Sequence, residues 1–129
     1  MNYRWLEQIT IGDKVVAITK SNRKVHKTYD VLTVTQVNTF GRITLNNGVV
    51  IDKNGRERGK GSALGTPRTT YHEFTPVMQQ EIETASKVIA VEHLIHEVDG
   101  IDLAKQSIGS LESIELSLLH ILNHVRRTS

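Results

Sequence analysis

The densest run of chemically capable residues is Asp52-Lys-Asn-Gly-Arg-Glu-Arg-Gly-Lys-Gly-Ser62, followed by Arg68 and Tyr71. Arg56 and Arg58 alternate, and alternate residues of an extended segment project to the same side, so two guanidinium groups would face one ligand. Gly59, Lys60, Gly61 and Ser62 add unhindered backbone N–H groups, an ammonium and a hydroxyl. This combination suits a phosphate or pyrophosphate, because a guanidinium donates paired hydrogen bonds to two oxygens at once. Tyr71, Phe74 or Phe40 would supply a ring for a base to stack on. The spacing is not that of a phosphate loop, and no Gly-x-Gly-x-x-Gly follows a strand. The same charges also fit a plainer role, protecting an exposed edge strand from aggregation.

Six histidines raise the question of a metal, with His93 and His96 three apart and His120 and His124 four apart. Two such pairs on neighbouring helices would make a four-nitrogen zinc site. The helical projection argues against it: His120 and His124 fall with Ser113 and Ser117 on a polar face, whereas His93 and His96 continue an apolar stripe. No metal ligand and no cofactor is assigned. No His-Glu-x-x-His, no Gly-x-Ser-x-Gly and no nucleophile beside an identifiable base occurs, so no catalytic residue is assigned and the chain reads as a binder rather than an enzyme. The Arg126-Arg127 pair offsets the dipole of a last helical turn, and Arg126 would also close an anionic pocket if the helix end reached a neighbouring subunit.

Charge is unevenly distributed. Residues 1–68 hold 12 Lys and Arg against 5 Asp and Glu, whereas residues 69–129 hold 4 against 9. The front half therefore attracts anions, phosphates or nucleic acid, and opposite faces of this kind also pair subunits. With 129 residues the chain has the size of one domain. Without cysteine it has neither disulfides nor thiolate zinc sites, which fits a reducing compartment. The start, Met1 to Thr10, has no apolar signal region, and no apolar run has membrane-spanning length, so a cytoplasmic protein is expected, in the host cell if phage-encoded.

The elements that would position these residues are short strands, then helices. Lys14–Thr19 and Val31–Val37 are rich in β-branched residues. Phe40–Leu45 and Val49–Asp52 read as a hairpin about Asn46-Asn47-Gly48, and a further turn falls at Lys53-Asn54-Gly55. The expected class is α+β: a small SH3-like antiparallel β-barrel or β-core over residues 1–62, a loop over 63–74 and a helical region over 75–127. Thr75-Pro76 starts a helix with Thr as N-cap and Pro in the first turn. Met78, Ile82, Ala85 and Ile89 stack on one stripe of it, and Asp99-Gly100 ends it. A last helix from near Ser110 carries Leu111, Ile114, Leu118, Ile121 and Val125 at alternating spacings of three and four, a helix-packing seam. The two helices have more apolar surface than one chain covers, so they are expected to build a homo-oligomer.

The Gly41-Arg-Ile-Thr-Leu45 strand with the glycine turn after it, the Asp52-Lys-x-Gly-Arg-Glu-x-Gly59 segment, and Thr75-Pro76 ahead of two helices resemble the phage Thoeris anti-defence sponge family. The resemblance implies an oligomeric protein without enzymatic activity. It implies that the protein sequesters cyclic ADP-ribose-type immune signals, and for some members cyclic oligonucleotides, in pockets shared between subunits. It makes Arg56, Arg58 and the neighbouring loop the phosphate contacts. The competing expectations are a nucleic-acid-binding regulator built on a basic barrel, and a protein inhibitor acting through the helix faces.

Overall fold

The computed structural model describes residues 3–22, 24–58 and 68–128. Five antiparallel strands, β1 (Lys14–Lys20), β2 (Thr28–Val37), β3 (Ile43–Leu45), β4 (Val50–Ile51) and β5 (Arg68–Glu73), form one sheet in the order β4-β3-β2-β1-β5. The sheet curls into a half-barrel, and two helices follow, α1 (Pro76–Asp99) and α2 (Ile108–Thr128), giving the expected α+β class. By internal contacts the chain divides into two compact units, Met1–Val88 and Ile89–Ser129.

The centre of the sheet is β1, flanked by β2 and β5, with Val16 opposite both Val31 and His72. Val15, Val16, Ala17 and Ile18 are all buried, as a strand covered on both faces requires. Val15 and Ala17 join Leu6, Val34, Ile43, Leu45, Ile51 and Tyr71 in the core cluster on the concave side. Val16 and Ile18 face the other way. Tyr29, opposite Ile18, donates from its hydroxyl to Glu81 at 2.9 Å and so ties the start of α1 to that face.

Thr75 caps α1 through a 3.1 Å bond that its Oγ1 accepts from the Met78 N–H. Met78, Ile82 and Ala85 are half-buried, but from Ser86 to Asp99 every residue is exposed. The α1 stripe read from the sequence is thus covered only up to Ala85. Ser107 caps α2, accepting from the Ser110 N–H at 3.2 Å. Among the described residues no helix is long and apolar enough to cross a membrane.

One boundary is corrected. The loop expected over 63–74 does not reach its end, because Arg68–Glu73 forms β5 and pairs along β1 from Lys20–Arg68 to Val15–Glu73. Thr69, Thr70 and Tyr71 have the strand preferences for this, masked in sequence by the glycines and proline just before them. Thr19 and Thr69, opposite one another, share a 2.9 Å hydroxyl bond across the two strands.

Candidate anion-binding cleft on the half-barrel

Two turns of identical construction flank the β3–β4 hairpin. In the first, Asn38 Oδ1 accepts from the Phe40 N–H at 2.9 Å and the Arg42 N–H at 2.8 Å. In the second, Asp52 Oδ1 accepts from the Asn54 N–H at 2.8 Å and the Arg56 N–H at 3.0 Å. The backbone repeats as well: Asn38 N–H donates to Arg42 O, and Asp52 N–H to Arg56 O, each at 2.9 Å. The fourth residue of each turn is a glycine in the left-handed region, Gly41 at φ +81° and Gly55 at φ +76°. The pattern is Asx-x-x-Gly-Arg in both, because the side chain that closes the turn must be short and the fourth position must accept positive φ. The two turns abut: a Cβ at Gly41 would lie 3.5 Å from Lys53 Cβ.

Between these turns the outward face of β2, β3 and β4 forms a cleft. Ile43, Leu45 and Ile51 point into the core, so by alternation Thr44 and Val50 point away from it. Gln36, Thr44 and Val50 are cross-strand partners in a row. The register shift between Val34 and Gln36 is a bulge that bends β2 at this place. Arg42, two residues before Thr44, and Arg58, whose N–H donates to Val50 O at 2.9 Å, both line the same cleft. Ile11, Val37, Asn38, Val49 and Glu57 also line it, and its volume is about 820 Å³. Arg42 is half-buried and Arg58 exposed. Among the described residues no carboxylate forms an ion pair with either.

The one acidic residue of the lining is already engaged. Glu57, opposite Ile51 in an isolated bridge, accepts a hydrogen bond from the Tyr71 hydroxyl. Burial first, and the Glu57 carboxylate second, push the Tyr71 phenol well above its ordinary pKa of 10.0, so it stays a donor through the neutral range. The cleft therefore presents two cations, two amide side chains and apolar flanks, with its carboxylate tied from behind. An anion with a flat or apolar part is the chemistry this accommodates.

The residues singled out by sequence distribute unevenly. Arg58 lines the cleft; Arg56 is exposed and closes the second turn without lining it. Gly59, Lys60 and Ser62 lie outside the described residues. Arg68 opens β5 and is exposed. Tyr71 is 2% exposed and part of the core, so its ring is packing and its hydroxyl positions Glu57; it offers no face to a base. Phe74 is half-buried, with the Lys14 ammonium 5.7 Å from its ring centre. Arg126 lies in the last turn of α2, within the second unit. Phe40 is exposed at the tip of the first turn.

Arg42, Gln36 and Asn38 were missed by the sequence reading. The signal for Arg42 was present as the repeated Asx-x-x-Gly-Arg pattern, Asn38 to Arg42 and Asp52 to Arg56. Gln36 carried none, since its place depends on the bulge.

Of the histidines, His93 pairs with Glu97 at 3.2 Å along α1, and His72 shares a 2.7 Å bond with Thr70 Oγ1. Among the described residues no group of three or more His, Asp or Glu is placed to hold a metal ion. No family model, no curated protein and no solved structure matches the chain.

Proposed function

We propose that this chain is a binding protein, not an enzyme, that captures a small nucleotide carrying phosphate in the cleft between Arg42 and Arg58. The carrying observation is that Arg42, which ends the first turn, and Arg58, two residues past the end of the second, line a single cleft with apolar flanks. Its volume of about 820 Å³ lies within the range of small-molecule sites, roughly 300–1,000 Å³. Catalysis of phosphate or glycosidic cleavage calls for a poised acid or base beside the reacting atoms, and the carboxylate of this cleft is committed to Tyr71. The resemblance to the Thoeris anti-defence sponges supports a ligand of the cyclic ADP-ribose class, held intact so that a bacterial defence signal is withdrawn.

The test is native mass spectrometry of the protein with cyclic ADP-ribose isomers, cyclic di- and trinucleotides and a short DNA duplex. A stoichiometric shift with a small nucleotide, recovered unaltered on denaturation, is the expected result. A shift with duplex alone would move the function to the nucleic-acid reading, which the basic front half favours.

A further inference from the structure

The helical unit leaves an unusual amount of apolar surface uncovered. No described residue of α2 is buried, and only Ile114 is even half-covered. Leu111, Leu118, Ile121, Leu122 and Val125 stand between 37% and 54% exposed. On α1, Ile89, Val91, Leu94, Ile95 and Val98 are 44% to 62% exposed. In a folded protein most of a helix's stability comes from packing its apolar face against a partner rather than from helix propensity. An apolar patch beyond about 300–600 Å² marks an interaction surface, and a stable interface buries about 800 Å² on each side.

The composition of α2 says what covers it. Leu111, Ile114, Leu118, Ile121 and Val125 occupy alternating a and d positions of a heptad, and such a seam is complementary to itself. The charges are polar along the axis: Glu112 and Glu115 lie in the first half, His124, Arg126 and Arg127 at the end. A parallel pairing would set arginines beside arginines and align two helix dipoles. An antiparallel pairing sets Glu112 near Arg127 and Glu115 near His124 across the two copies, and opposes the dipoles. In that arrangement a positions meet d positions: Leu111 faces Thr128, Ile114 faces Val125, and Leu118 faces Ile121.

We propose that α2 pairs antiparallel with α2 of a second copy of this chain, in the register that places Leu118 against Ile121. The pairing stands on α2 alone and is independent of the cleft. It goes beyond an unspecified helical oligomer by fixing the element, the direction and the register.

Light scattering gives the first readout, with a mass of at least twice 14.5 kDa expected at micromolar concentration. Leu118→Asp should lower that mass to the monomer while Leu116→Asp, outside the seam, leaves it unchanged. Since Leu118→Asp also risks unwinding α2, single cysteines supply a second measurement in a chain that has none of its own. Mixed L111C and T128C proteins should cross-link to each other under mild oxidation, and L111C alone should not. A monomer at all concentrations, an L111C self-cross-link, or an oligomer without the mixed cross-link would each overturn the proposal.

Discussion

Asn38 and Asp52 hold their turns by the same two bonds, each side-chain oxygen accepting from the backbone N–H two and four residues on, and each ends on an arginine. The consequence is mechanical: what fixes Arg42 and the start of the segment leading to Arg58 is a pair of short polar side chains rather than core packing. Asp52→Ala should therefore cost about 1–2 kcal/mol of stability, the worth of bonds to a charged acceptor at an exposed site. It should also weaken ligand capture, whereas Asp52→Asn retains the acceptor and most of both. Urea melts alongside a binding titration would check this; a neutral Asp52→Ala would show the turn is held by other means.

The two turn glycines should respond differently to substitution. Gly41 needs only its positive φ, since a Cβ there meets Lys53 at an ordinary 3.5 Å. At Gly55 a Cβ would collide with the Tyr3 ring as well. Gly41→Asn, which tolerates the left-handed region, is expected to cost under about 1 kcal/mol, and Gly55→Asn clearly more. Equal losses at the two sites would contradict the contact with Tyr3.

Two pH dependences follow from the β5 side chains. Burial and Glu57 raise the Tyr71 pKa above 10.0, so above that pH the unfolded chain gives up its proton while the folded one keeps it, and stability falls as pH rises. Tyr71→Phe should flatten that alkaline limb. His72 is displaced the other way, lowered chiefly by burial and further by Lys27 against the pull of Glu81. The unfolded state then binds more protons as pH falls through about 6.5, so the His72 contribution is lost on the acid side. Thermal melts of wild type, Tyr71→Phe and His72→Gln between pH 5 and 11 test both signs.

Salt separates the two ligand classes. A polymer that releases many counterions loses affinity steeply with ionic strength, roughly in proportion to the phosphates neutralised. A small ligand held by Arg42 and Arg58 should show a shallow slope, near that of two phosphate contacts. A slope many times steeper would identify nucleic acid as the ligand.

Much of the fold was legible because it rests on local chemistry. Gly48 and Gly55 marked their turns, Thr75 and Pro76 marked the start of α1, and the β-branched runs marked β1 and β2. What escaped was non-local. β5 lies behind a glycine- and proline-bearing stretch and gains its strand state from pairing with β1. Tyr71 looked like a stacking platform until its place opposite Ala17 put it in the core. Of the two alternating arginines only Arg58 reaches the cleft, and its companion there is Arg42, brought alongside by the β3–β4 hairpin and the bulge in β2. No spacing rule along one segment contains that meeting.

Amide chemical-shift mapping with a cyclic ADP-ribose isomer tests most directly whether Arg42 and Arg58 together form the ligand site. The expected result is a saturable set of shifts confined to Gln36, Asn38, Arg42, Thr44, Val50 and Arg58, lost in the folded Arg42→Glu/Arg58→Glu double variant. Saturable shifts that cluster elsewhere, or that survive in the double variant, would contradict it.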